Sequence, residues 1–71
     1  MAVVYAAQIQ TTLKEIVRRS ESELTRGELI ESAEIALDVE RDRIVEQLDT
    51  LDRHGEVYHV GDGADAEVRV P

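Results

Sequence analysis

The chain has 71 residues, sixteen acids against eight bases, a net charge of −8, and no Cys, Phe or Trp. Without Cys it has no disulfide staple and no thiolate chemistry, and a field of that sign repels phosphate backbones and lipid headgroups. A chain this short buries only about 60% of its unfolded surface, so its twenty Val, Ile and Leu residues make one aliphatic core and no deep substrate pocket.

Seven of the eight bases are Arg, and Lys14 is the one Lys. Acid-rich, Lys-poor composition is the pattern of halophilic proteins. In molar salt the Debye length is about 3 Å, and net charge stops acting at a distance. No apolar run approaches the roughly 18–20 residues of a membrane span. The opening Met1-Ala-Val-Val-Tyr-Ala-Ala7 lacks the basic start and apolar length of a signal peptide. The expected location is the cytoplasm, away from membranes.

Residues 1–71 read as a single domain, in which 1–7 either lead into the first helix or form a loose N-terminal extension. Ile9, Leu13, Ile16 and Val17 then recur at i, i+4, i+7 and i+8, which predicts a helix near 6–20. Lys14, Glu15, Arg18 and Arg19 take its other face, with Glu15 and Arg19 at ion-pair spacing. Ser20 to Thr25 is a polar connector with Leu24 pointing inward, expected to give a short edge strand. Thr25-Arg-Gly-Glu28 matches a capping box, in which hydroxyl and carboxylate each satisfy the other residue's backbone amide. It opens a helix near 26–35 that buries Leu29, Ile30 and Ala33, and Gly27 weakens its first turn slightly.

A third helix is predicted near 39–54. Leu37, Ile44, Leu48 and Leu51 form its stripe, widened by Val45, with Asp38 as N-cap and Gly55 as the left-handed stop. Arg53 and His54 complement the dipole in its last turn, and Asp49 stands four residues before Arg53. Val57-Tyr-His-Val60 and the alternating Ala66-Glu-Val-Arg-Val70 flank Gly61-Asp-Gly63, which predicts a hairpin near 56–70 turning at Gly61 to Asp65. The fold class is therefore α+β: a winged helix-turn-helix, three helices followed by a two-stranded β-hairpin wing. Its expected core is Ile9, Leu13, Ile16, Val17, Leu29, Ile30, Ile44, Leu48, Leu51, Val57 and Val68.

Enzymatic constellations are missing from the sequence. His54 and His59 fall on different elements and have no Cys beside them, so no zinc set forms. Asp62 and Asp65 lack the spacing and terminal Glu of a calcium loop. Gly61-Asp-Gly63 has no Lys and no following helix, and Ser20, Ser22 and Ser32 have no base nearby. No catalytic, cofactor-binding or metal-ligating residue is expected, and no small-molecule substrate.

The other use of a helix-turn-helix with a wing is docking. The first turns of the third helix, which meet the major groove in nucleic-acid readers, carry Asp38, Glu40 and Asp42 against Arg41 and Arg43. The wing tip carries Asp62 and Asp65. From Asp38 to Asp65 nine acids face three Arg. Burying such carboxylates against phosphates costs more than two Arg contacts return, so any DNA binding should be weak. Arg41, Arg43 and Arg69 are the candidate contacts to nucleic acid or a partner, with Arg18 and Arg19 behind them.

The run from Leu37 to Val60, with its Glu-rich helix ending in Gly55-Glu-Val-Tyr58, resembles the third helix and first wing strand of one family's tail domain. That family is the archaeal minichromosome maintenance (MCM) replicative helicases, and the domain is their C-terminal winged helix. Gln8 to Arg19 and Thr25 to Ile35 fit the family's first two helices, so the resemblance covers residues 8–70. It implies an accessory domain of a hexameric, ATP-driven DNA helicase that modulates the motor and its partner contacts, with weak DNA binding at most. None of that enzyme's nucleotide-binding or hydrolysis residues lies here. The expected partner is a protein or the parent ATPase domain. The alternative is a stand-alone winged-helix DNA-binding transcription regulator.

Overall fold

The computed structural model describes residues 3–20 and 22–71. Three helices, α1 (Ala6–Arg19), α2 (Arg26–Leu37) and α3 (Arg41–Arg53), precede a hairpin of β1 (Tyr58–Val60) and β2 (Glu67–Arg69). The strands pair antiparallel, with Tyr58 opposite Arg69, His59 opposite Val68 and Val60 opposite Glu67. A single turn of 3-10 helix, Gly63–Asp65, shapes the connection between them. This is the winged-helix arrangement the hydrophobic pattern predicts.

The connector ahead of α2 adds the expected third rung. Thr25 bridges Glu67, the Val68 amide donates to the Leu24 carbonyl at 2.9 Å, and the Arg26 amide donates to Ala66 at 2.8 Å. β2 is thus the central strand, held by β1 on one side and by the connector on the other.

Ile9, Leu13, Leu29, Ile30, Ala33, Ile44, Leu48, Leu51, Val57 and Val68 form the fully buried cluster, and Ala66 is buried as well. Each helix contributes one stripe and the hairpin closes the core from below. Ile16 and Val17, expected inside, are only half-buried against the cluster. They lie in the second half of α1, where the helix runs out beside the connector and less of the fold covers it.

Local chemistry explains the helix ends. At α2 the capping box forms as read: the Glu28 amide donates to Thr25 Oγ1 at 3.1 Å and the Thr25 amide donates to Glu28 Oε1 at 3.0 Å. Gly27 has a packing role there, because a Cβ would stand 3.4 Å from the Ala64 carbonyl oxygen of the 3-10 turn. At α3, Gly55 takes a φ of +73°, with the Gly55 amide donating to Asp52 and the Glu56 amide to Leu51. That pair of bonds is the Schellman closure.

The α2–α3 junction differs from the sequence reading. Asp38 does not cap α3; it ends α2, in the left-handed region at φ 51° with its amide donating to Glu34. Helix α2 therefore runs two residues past the expected end at 35, α3 starts at Arg41, and Glu40 holds its N-cap position. Leu37 belongs to α2 and packs half-buried on the core from there. An Asp suits both roles, because its short side chain serves as a cap and also tolerates left-handed backbone.

Candidate interaction surface

The exposed side of α3 and the adjoining hairpin tip form one acidic surface. Asp42, Glu46, Asp49 and Asp52 all lie exposed on α3. Between α3, the start of α2 and the hairpin runs an open groove of about 280 Å³, lined by Arg26, Asp49, Asp52, His59 and, in the hairpin turn, Gly61, Asp62, Gly63, Ala64 and Ala66. Two contacts brace it. Arg26 Nη2 lies 3.5 Å from Asp49 Oδ1, and His59 Nδ1 lies 3.6 Å from Asp52 Oδ2.

His59 sits on the inward face of β1, opposite the buried Val68, with its side chain 17% exposed. Its Nε2 is buried and has no hydrogen-bond partner among the described residues. Sequence reasoning treated His54 and His59 as isolated singles and missed the His59–Asp52 contact. The alternation that buries Val57 also points His59 inward, and that was the available signal. Of the groove's three acids, Asp49 and Asp52 lie three apart on one face of α3, and Asp62 comes from the hairpin turn.

The five candidate arginines do not converge. Arg41 Nε donates to Glu34 Oε1 at 3.0 Å across the α2–α3 junction. Arg43 Nη2 donates to the Val4 carbonyl at 2.7 Å, which ties the segment before α1 to the first turn of α3. Arg69 Nε donates to Glu67 Oε2 at 2.6 Å on the outer face of the hairpin. The Glu67 carboxylate, and after it the Tyr58 oxygen, raise the guanidinium above its usual range. Arg18 lies in the last turn of α1 and shares an open cleft with Glu23, Glu67 and Arg69. Arg19 is exposed beside it.

Two small groups result, at opposite ends of α1, and no basic stripe joins them. Neither expected i,i+4 ion pair is present among the described residues: Asp49 turns to Arg26, and Arg53 donates to Thr50 Oγ1 at 3.3 Å. No Glu15–Arg19 pair forms within 4.0 Å either. Asp49 thus finds its partner on α2, while Arg53 finds its own within α3.

Lys14, the lone Lys, pairs with Glu56 at 3.0 Å and pins α1 to the end of α3, and Gln10 donates to Gln47 at 2.7 Å along the same seam. Among the described residues no group of three or more His, Asp or Glu side chains is arranged to hold a metal ion, and no helix is long and apolar enough to cross a membrane. No protein-family model, no curated protein and no solved structure matches the chain.

Proposed function

We propose that this domain is a non-catalytic interaction module that docks through the acidic α3–hairpin surface onto a basic patch of a protein partner. One observation carries the reading. On the surface a winged helix would turn toward DNA, Asp42, Glu46, Asp49, Asp52 and Asp62 are exposed, while Arg41 and Arg43 are engaged within the chain. A groove reader needs free cations or amides there to offset phosphate repulsion and read base edges. A carboxylate-lined surface instead steers lysine- and arginine-rich partners toward it.

The resemblance of residues 8–70 to the C-terminal domain of MCM helicases supports a specific setting. There the partner is the parent ATPase domain or a replication protein in the cytoplasm, and the domain modulates the motor. Association should weaken as salt rises, because exposed charges supply the attraction.

The runner-up is a stand-alone winged-helix transcription regulator, favoured by the fold and by Arg18, Arg19 and Arg69 near one cleft. Titrating labelled duplex and single-stranded DNA at moderate salt separates the two. No binding below about 100 μM, the weak end of ordinary non-specific affinity, is the expected result. Submicromolar, sequence-selective binding that collapses on Arg41→Ala would replace the docking module with the regulator.

A further inference from the structure

Among the described residues β2 is paired on both sides, but β1 has a partner on one side only. The direction of its free groups follows from the ladder. The Val68 amide points away from β1, to Leu24. Val68 and its partner His59 are therefore a non-hydrogen-bonded pair, while Tyr58–Arg69 and Val60–Glu67 exchange the bonds of the hairpin. The backbone N–H and C=O of His59 consequently face outward, at the open edge. Tyr58 and Val60 stand on the solvent side of the sheet, 42% and 50% exposed.

Natural proteins usually guard such an edge with Lys, Pro or an inward charge. Here Val57 to Gly61 carries no formal charge and no Pro, in a chain of net charge −8. Most other exposed stretches of the described hairpin and α3 bring acids toward an approaching copy.

We propose that this edge is a self-pairing surface, on which a second copy of the chain adds its own β1 antiparallel and in register about His59. A twofold axis through His59 lets the two His59 residues exchange both backbone hydrogen bonds. The same register sets Tyr58 opposite Val60 of the second copy, twice. An aromatic against a β-branched side chain is a favourable cross-strand pair, and non-hydrogen-bonded positions bring the two closest. Register by one residue either way loses this match, so the sequence is complementary to itself in one alignment.

Further out, Glu56 falls opposite Asp62 of the second copy. This like-charge pair opposes the contact, and salt relieves it. The self-association should strengthen with salt, the reverse of the trend expected for docking on a basic partner. The two surfaces are therefore distinguishable in one buffer series.

The interface is small, with a dissociation constant expected between roughly 100 μM and 1 mM, at the weak end for specific contacts. Sedimentation equilibrium on the full chain, from about 10 μM to 2 mM, in 0.1 M and 3 M KCl, measures it. Dimer formation at least about threefold tighter in 3 M KCl is expected. Backbone N-methylation at His59, accessible by chemical synthesis, removes the outward donor and spares the hairpin ladder. Val60→Glu places a charge against Tyr58 of the second copy without touching the core. Both should be monomeric with unchanged circular dichroism.

Register is read by mixing Tyr58→Cys and Val60→Cys chains under mild oxidation, where the mixed disulfide should exceed either homodimer. A chain monomeric throughout in both salts overturns the proposal and leaves the edge to a foreign strand. A dimer that survives both variants, or disulfides at statistical ratio, overturns it equally.

Discussion

Asp38 is the residue whose surroundings matter most for its identity. It occupies a left-handed conformation at φ 51°, which a Cβ disfavours and an Asp tolerates. Asp38→Gly should therefore raise stability by about 0.5–1 kcal/mol in urea melts, and Asp38→Val should lower it by more. The capping box makes a second prediction. Its hydrogen bonds to the Thr25 backbone, and then to the Thr25 hydroxyl, hold the Glu28 carboxyl below its ordinary value of 4.5. A depressed folded pKa contributes stability that is present above the unfolded value and is lost as pH falls through the folded one. Glu28→Gln should melt below the wild type near neutral pH, and the difference should shrink toward zero in acid. A gap that stays constant to pH 2 would mean that the carboxylate charge contributes nothing to the cap.

At the scale of elements, Leu48 shows how one helix organises the rest. It is fully buried at the centre of α3 and belongs to the cluster shared with α1, α2 and the hairpin. Leu48→Ala should cost about 2–5 kcal/mol. Small domains hold only about 5–15 kcal/mol in total, so the substitution removes a large share of the stability and shifts the unfolding midpoint sharply downward. Urea denaturation followed by circular dichroism measures it, and an unchanged midpoint would show that Leu48 is not at the core. The N-terminal segment is tied down more lightly. Arg43→Ala removes the bond to the Val4 carbonyl and should loosen residues 3–5 alone, seen as faster amide exchange there with the melting temperature nearly unchanged.

At the scale of the whole molecule, the dominant force on the surface is like-charge repulsion. Asp42 and Glu46 lie four apart on α3, and Asp49, Asp52 and Asp62 line one groove. Screening relieves such pairs, so the melting temperature should climb steadily from 0.1 M to 3 M KCl. A flat curve would show that the acids are far enough apart to ignore one another. Asp38, once removed from α3, no longer belongs to that account. It ends α2, so it makes no i,i+4 pair with Asp42 on α3.

Element order, the buried stripes and two of the helix terminators follow from the chain's own pattern, because these depend on neighbours within about one turn. Ile9 with Leu13, Ile44 with Leu48, the Thr25–Glu28 box and Gly55 are all local statements, and local physics settles them. Tertiary structure alone decided which element would claim Asp38 and Leu37, since one residue suits the end of α2 and the start of α3 about equally. It also decided where the charges went. Helical spacing offers Asp49 to Arg53 and Glu15 to Arg19, yet Arg26, Glu34, Val4 and Glu56 supply partners from other elements, and the fold chooses among them by distance. The same holds for His59, whose inward turn is implied by alternation but whose neighbour Asp52 is brought there only when α3 and the hairpin pack together.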